Sequence, residues 1–246
     1  MPIATFRVWR GERGKGEFRD YTTEVGSGMV VLDAVHRIQA ESAPDLACRW
    51  NCKAGKCGSC SAEVNGVPRL MCMTRLNELP LDAPVIIEPL KAFPHVRDLV
   101  TDVSWNFRVK KQIKPFKPRA PEADGTWRMQ QDDIERVQEF RKCIECFLCQ
   151  DVCHVLRDHH HHADFIGPRF LIYSAALEMH PLDTDDRLKD HKEQGGIGYC
   201  NITKCCTRVC PEEIHITDNG IIPLKERVVD RFYDPVKRLF RVFTGG

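Results

Sequence analysis

Residues 143–153 read C-I-E-C-F-L-C-Q-D-V-C, and residues 200–211 read C-N-I-T-K-C-C-T-R-V-C-P. The first stretch has the spacing C-x2-C-x2-C-x3-C. The second repeats that spacing but has threonine at position 203, where the second cysteine would stand. Runs of this kind hold cubic iron–sulfur clusters. The chain therefore carries a repeated cluster motif whose second copy lacks one ligand.

The spacing also predicts how the two runs share their cysteines. In bacterial ferredoxins with two clusters, the fourth cysteine of each run binds the other cluster. This rule gives one site four thiolates, those of Cys143, Cys146, Cys149 and Cys210. It gives the other site three, those of Cys153, Cys200 and Cys206. Four thiolates suit a [4Fe-4S] cube, whereas three thiolates beside a threonine hydroxyl suit a [3Fe-4S] cluster.

A third group of cysteines lies upstream. The spacing C-x4-C-x2-C with a later cysteine is typical of plant-type [2Fe-2S] sites, and it occurs at Cys52, Cys57, Cys60 and Cys72. Gly55 and Gly58 allow the loop to wrap closely around a cluster, because glycine accepts conformations that other residues do not. We expect backbone N–H groups of this loop to point at the sulfur atoms.

Two of the thirteen cysteines, Cys48 and Cys205, stay unassigned. We expect both to be ordinary thiols, since adjacent side chains such as those of Cys205 and Cys206 rarely face one centre. Cys205 as a substitute fourth ligand is the main alternative to the three-iron assignment.

Zinc and disulfides are the other common uses of many cysteines. Zinc sites usually combine two C-x2-C pairs, which do not call for the full run at 143–153. Disulfides need an oxidising compartment, and the N-terminal M-P-I-A-T-F-R-V-W-R shows no apolar signal-peptide region. The cysteines therefore predict iron–sulfur clusters in a reducing compartment.

Charge and hydropathy give no reason to expect a nucleic-acid partner or a membrane-spanning helix. The chain has 246 residues, with 36 Lys and Arg against 35 Asp and Glu, so nothing favours nucleic acid. No stretch approaches the roughly 18 consecutive apolar residues of a membrane-spanning helix. We expect a chain without a transmembrane segment that can still dock on a membrane protein.

The first hundred residues predict a small α+β domain. Residues 3–10 alternate as a half-buried strand does, Gly11–Gly16 is a turn, and Glu17–Val25 is the returning strand. A helix follows, with apolar residues at Val30, Val31, Ala34, Val35 and Ile38. Asn65-Gly66 predicts a hairpin, and Val85–Glu88 is expected to be the last strand.

The second part is predicted to be helical after a basic segment. Residues 107–121 contain six basic residues, no acid and three prolines, which predicts an extended segment. It is either a solvated linker or a strap on an acidic partner. Helices are expected from Asp132 on, over Arg169–Met179 behind Pro168, and over Ile221–Phe232.

Taken together, the motifs resemble the iron–sulfur subunits of succinate dehydrogenases and fumarate reductases over nearly the whole chain. The resemblance implies an α+β chain: a plant-ferredoxin-like β-grasp domain at 1–103 and an all-helical bacterial-ferredoxin-like domain at 104–246. It implies [2Fe-2S], [4Fe-4S] and [3Fe-4S] clusters, in that order. Electrons would pass from a FAD flavoprotein subunit that oxidises succinate to a quinone at a membrane anchor. The chain would lie peripherally on the cytoplasmic face of a bacterial inner membrane.

The chain departs from mitochondrial-like members on the expected quinone side. His154 stands where proline follows the equivalent cysteine, Asn201 stands where those members have histidine, and no tryptophan occurs between 154 and 166. Ubiquinone contacts therefore do not carry over, and menaquinone-linked bacterial members are the better match. The run His159–His162 is expected to be an exposed loop, with proton supply to quinone as the alternative.

Three other functions remain open. A fumarate reductase subunit would run the same chemistry backwards, a free ferredoxin-like carrier would need no partners, and a zinc-stabilised scaffold would have no redox role. At the C-terminus, Val236, Leu239, Phe240 and Phe243 predict one apolar helical face. That helix would lie on a membrane or an anchor subunit, or pack on its own domain.

Overall fold

The computed structural model describes residues 2–235. Its N-terminal half contains seven strands and the helix α1, Val31–Glu41. The strands are β1 Ile3–Glu12, β2 Lys15–Glu24, β3 Ser61–Val64, β4 Val67–Leu70, β5 Val85–Glu88, β6 His95–Arg97 and β7 Val100–Thr101.

All seven strands form one mixed sheet around β1. Strand β1 pairs antiparallel with β2 over its whole length and parallel with β5. The order is β4-β3-β5-β1-β6-β7, with β2 also paired to β1. The predicted alternation along β1 is confirmed, because Ala4, Phe6 and Val8 are buried. They share one core with Leu32 and Val35 of α1.

The predicted turns are confirmed in place but not always in extent. Asn65 and Gly66 link β3 and β4 with φ of 50° and 75°, as a tight hairpin turn with two positive φ angles requires. The turn predicted over Gly11–Gly16 is shorter, since β1 runs to Glu12 and β2 begins at Lys15. Val85–Glu88 is not the last strand, because β6 and β7 follow it.

The C-terminal half is helical, as predicted. Its helices are α2 Ser104–Gln112, α3 Gln131–Gln138, α4 Leu148–Asp151, α5 His154–Arg157, α6 Gly167–Glu178, α7 Leu188–Glu193, α8 Cys205–Arg208 and α9 Ile222–Phe232. A π-helical turn, Ile216–Ile221, precedes α9. Among the described helices none is long and apolar enough to cross a membrane. The predicted amphipathic helix at 236–246 falls outside the described residues.

The basic segment differs from the prediction. Its first part is not extended, because α2 continues to Gln112, and Lys110 and Lys111 favour the last turn by complementing the helix dipole. Only the proline-containing part from residue 113 onward is irregular or extended. The extended part of the segment therefore begins after Gln112, close to the first proline, and not at residue 107 as predicted.

Two lysines of this segment form ion pairs within the chain. Lys110 Nζ lies 2.5 Å from Glu145, and Lys114 Nζ lies 2.8 Å from Asp190. The buried Arg187 side chain donates hydrogen bonds to the carbonyl groups of Lys114 and Pro115 at 2.9 and 2.7 Å. Lys110 and Lys114 are therefore paired within the chain, whereas Lys111 and Lys117 are exposed.

The sheet and the helices share one continuous apolar core. The Phe147 ring makes edge contacts with Phe93 and Phe107, with centroids 6.3 and 5.8 Å apart. The Asp151 carboxylate accepts a hydrogen bond from the Ala92 N–H at 2.9 Å. The two halves are therefore held in a defined relative position.

Buried charged side chains also connect the sheet half to the helical half. Glu63 on β3 is fully buried and is bound by Arg157 of α5 at 3.0 Å and by Lys91 at 3.1 Å. Asp151, also fully buried, lies beside it, and burial together with the Glu63 charge raises the pKa of Asp151 to about 7. Buried carboxylates are costly unless paired, so Arg157 stabilises the joint between the two halves.

We predict that Arg157→Met lowers the thermal unfolding midpoint of the loaded protein by about 6–12 °C. Breaking a buried pair costs about 3 kcal/mol, and each kcal/mol shifts the midpoint of a chain this size by about 2–4 °C. The control is Arg7→Met, since Arg7 forms an exposed pair with Asp20, and its effect should be much smaller. Equal effects of the two substitutions would contradict the role assigned to Arg157.

Candidate iron–sulfur cluster sites

The first cysteine loop connects α1 to β3 and is shaped by left-handed residues. Lys53, Gly55 and Gly58 have φ of 54°, 66° and 68°. The N–H groups of Ala54 and Lys56 approach Cys52 Sγ at 3.4 and 3.3 Å. These contacts confirm the expectation that backbone N–H groups of this loop point at sulfur.

The thiols of this loop interact with one another and with Cys72, which follows β4. Burial opposes ionisation of Cys57, but hydrogen bonds with Ser59 and Cys52 lower the pKa of Cys57 to about 7. Burial raises the pKa of Cys60 to about 12, and its Sγ lies 3.5 Å from the N–H of Cys72. The residues predicted to hold [2Fe-2S] are therefore gathered at one place.

The second cluster site is a cavity, called the second cavity below. It is lined by the four cysteines of the predicted cube site, Cys143, Cys146, Cys149 and Cys210. Most of the remaining lining is apolar and includes Phe147, Ile172 and Ile214. Burial raises the pKa of Cys146 to about 12 and that of Cys149 well above its usual value. Metal binding to these thiols would displace their protons.

A third cavity is lined by the predicted three-thiolate set, Cys153, Cys200 and Cys206, together with Thr203 and Cys205. Burial raises the pKa of Cys153 to about 11. Cys153 belongs to the first run and lies here, whereas Cys210 of the second run lies in the second cavity. The exchange of fourth cysteines predicted from spacing is thus present in the geometry.

The backbone repeats along with the sequence. Glu145 and Phe147 have φ of 56° and 63°, and the equivalent Ile202 and Lys204 have φ of 61° and 60°. The helices α4 and α8 begin at equivalent positions. Thr203 therefore occupies the place that Cys146 holds in the first run.

The placement of Cys205 differs from the ordinary thiol expected. It lines the third cavity, and its Sγ lies 3.2 Å from Thr203 Oγ1. Hydrogen bonding with Cys206 lowers the pKa of Cys205 to about 5. Cys48, by contrast, lines neither cluster cavity, and burial raises its pKa to about 12.

The first loop touches the second cavity directly. A Cβ atom on Gly58 would lie 2.6 Å from Cys146 Cα, so only glycine allows this approach. Ser61 Oγ also donates a hydrogen bond to the Cys146 carbonyl at 2.9 Å. The sequence suggested that Gly58 serves its own cluster loop, but its neighbour is the next site.

Sequence reasoning missed Arg169, which also lines the second cavity. Its side chain is buried and pairs with Glu145 at 2.7 Å. The sequence feature that could have pointed to Arg169 is its position right after Pro168, in the first turn of α6. A cation is disfavoured there by the helix dipole, so its presence called for an explanation.

The histidine run is only partly an exposed loop. His159 and His160 are exposed, whereas His161 and His162 are half-buried. The His161 ring stacks on Tyr199 at 4.8 Å, and the His162 ring contacts Trp105 at the same distance. His161 therefore packs against the segment that leads into Cys200, and His162 packs against α2.

The geometry does not support disulfides or zinc as the role of the cysteines. All thirteen cysteines are free. Within residues 2–235, no three His, Cys, Asp or Glu side chains are arranged to hold a single metal ion. The cysteine-lined cavities and the N–H groups directed at sulfur instead fit clusters.

Comparisons with known proteins agree with this fit. A model of a 2Fe-2S iron-sulfur cluster binding domain matches residues 5–108, and one of a 4Fe-4S dicluster domain matches residues 139–214. The fumarate reductase iron-sulfur subunit of Mycobacterium tuberculosis is 30% identical over 202 residues, which are 80% of each protein. The succinate dehydrogenase iron-sulfur subunit of Paracoccus denitrificans is 27% identical over 93% of this chain and 89% of its own length.

The chain belongs to the family of succinate dehydrogenase and fumarate reductase iron–sulfur subunits. A chain of the Mycobacterium smegmatis Sdh1 complex in the apo form shares this fold, with a TM-score of 0.92 and 61% identity. That match covers 95% of this chain and 98% of the other. The chain also matches an uncharacterized iron-sulfur protein of Methanococcus maripaludis, of which it spans 42% of the length.

We predict that Gly58→Ala destabilises this subunit more than Gly14→Ala does. Both glycines have positive φ, so both substitutions strain the backbone, but a Cβ atom at Gly14 meets nothing within 4 Å. The collision with Cys146 should add about 1–3 kcal/mol for Gly58→Ala. Thermal unfolding and iron content of the two variants measure the difference. Equal midpoints would show that the close approach to Cys146 is not tight.

Proposed function

We propose that this subunit carries electrons through three clusters, from a FAD flavoprotein subunit that oxidises succinate to a quinone in the membrane. The observation that carries the proposal is the exchange of Cys153 and Cys210 between the two cysteine-lined cavities. It supports two adjacent clusters that share one repeat. The contact of Gly58 with Cys146 supports a third cluster beside them.

The ligand sets follow the cavities and the first loop. The [2Fe-2S] cluster is bound by Cys52, Cys57, Cys60 and Cys72. The [4Fe-4S] cluster is bound by Cys143, Cys146, Cys149 and Cys210, and the [3Fe-4S] cluster by Cys153, Cys200 and Cys206. Thr203 at the vacant ligand position supports three irons in the last site. The domains are a β-grasp ferredoxin domain at 1–103 and a bacterial-ferredoxin-like domain at 104–246.

The clusters supply one-electron redox chemistry, and the protein supplies their environment and order. N–H groups of Ala54 and Lys56 hydrogen-bond Cys52 Sγ and favour the reduced state of its cluster. The short α4 joins Cys149 of the second cavity to Cys153 of the third. Most of the residues that line the second cavity besides its cysteines are apolar. The order along the path is therefore first loop, second cavity, third cavity.

The ends of this path identify the partner surfaces. The first loop is exposed at Cys52 and flanked by the exposed Trp50 and Met73, which suits docking of the flavoprotein subunit. Tyr199 and Ile202, near the third cavity, are exposed at the other end. This end faces the membrane anchor and the quinone, which we propose is menaquinone because His154 and Asn201 differ from ubiquinone-linked members. The complex lies on the cytoplasmic face of the membrane.

The experiment uses the complete complex of this chain, the flavoprotein and the anchor, purified without oxygen. We expect about nine iron atoms per copy of this chain and EPR signals of all three cluster types. Succinate should reduce the [2Fe-2S] and [3Fe-4S] clusters, and a menaquinone analogue should reoxidise them. Clusters that are absent or silent towards succinate would overturn the proposal. Faster turnover with quinol and fumarate would instead support the fumarate reductase direction.

We predict that Thr203→Cys converts the third site to a [4Fe-4S] cluster of lower potential, because it restores the missing thiolate. Iron content should rise by about one atom per chain, and the EPR signal of the oxidised three-iron cluster should disappear. Cys205→Ser is the matched control, since Cys205 lines the same cavity, and it should leave the three-iron signal unchanged. A native four-iron site that is lost in Cys205→Ser would contradict the assignment.

A further inference from the structure

Arg169 is a buried cation at the second cavity whose role the ligand sets do not explain. It lies in the first turn of α6, is 5% exposed, and lines the cavity with Cys143, Cys149 and Cys210. Its backbone N–H is held by the Gln150 side chain at 3.2 Å. The side chain therefore enters the cavity from a fixed point of the backbone.

The guanidinium is only partly satisfied by the protein. An arginine side chain has five N–H donors. One nitrogen, Nη2, pairs with Glu145, and the group lies over the rings of Tyr173 and Phe170 at 5.3 and 5.7 Å. In the described part of the chain, the buried Nε of Arg169 has no hydrogen-bond partner. Leaving such a buried donor unpaired costs free energy. We therefore expect a further acceptor for the Nε–H group.

The charge of Arg169 is not fully balanced either. Glu145 is shared with Lys110, which lies 2.5 Å away. The other charged residue lining the cavity, Glu212, pairs with Lys56 of the first loop at 3.3 Å. The helix dipole also disfavours a cation in the first turn of α6. Position, burial and the unpaired donor all favour an anionic acceptor inside the cavity.

We propose that the Arg169 side chain donates its Nε–H to a sulfur of the cluster in the second cavity and raises the reduction potential of that cluster. This proposal rests on the [4Fe-4S] assignment made above. Reduction adds one negative charge to the cluster, and a desolvated cation beside it stabilises the reduced form more than the oxidised form. Hydrogen bonds to sulfur act in the same direction.

The test is a potentiometric EPR titration of the [4Fe-4S] cluster in the complete complex. Arg169→Met keeps the length of the side chain but removes both the charge and the donor. We expect its ratio of reduced to oxidised cluster at a fixed potential to fall about tenfold, which is 59 mV for a one-electron couple. The [2Fe-2S] and [3Fe-4S] potentials should move much less. Arg169→Gln, which keeps a neutral N–H donor, should give a smaller fall.

The matched control is Lys110→Met, because Lys110 binds the same carboxylate but is 38% exposed and does not line the cavity. Its shift should be small, since solvent screens it. An unchanged [4Fe-4S] potential in Arg169→Met, or a fall equal to that of Lys110→Met, would overturn the proposal. If Arg169→Met does not retain the cluster, the Arg169→Gln titration decides in the same way. Wild-type protein without a [4Fe-4S] signal would refute the proposed function instead.

Discussion

The burial of thiols in apolar cavities is the constraint on which the helical half depends. Burial raises the pKa values of Cys146, Cys149 and Cys153, and an isolated thiolate in such surroundings is unfavourable. A positively charged metal core would compensate several thiolates at once, which would link folding to cluster binding. The short helices α4 and α8 and the left-handed residues before them bend the chain around the two cavities.

The sheet half packs against the helical half at a boundary where few side chains can be substituted. Gly58 lies against Cys146 without room for a side chain, and Glu63 is neutralised from the helical side by Arg157. A flexible joint would vary the distance between the first loop and the second cavity. The buried ion pair and the shared aromatic contacts of Phe147 prevent this, so an electron meets a constant gap at that step.

Much of the architecture was predictable because its signals are local. Cysteine spacing predicted the groups of cysteines that line the two cavities but left out Cys205, which lines the third cavity. Alternation along β1 and the Asn65-Gly66 turn predicted the sheet. The errors came from contacts between distant residues. The basic segment was predicted to be extended, either a solvated linker or a strap on a partner. Its ion pairs with Glu145 and Asp190 were missed because those residues lie far away in sequence. The same is true of Arg169 and Gly58, whose meaning depends on neighbours that only the tertiary fold supplies.

The exchange of Cys153 and Cys210 between cavities also bears on how the subunit matures. Each cavity is closed by a cysteine from the opposite run, so neither run can build a complete site before the other has been synthesised and folded. The first inserted cluster would draw both runs together and preorganise the remaining thiols for the second. On the proposed ligand sets, loss of either run therefore removes ligands from both sites.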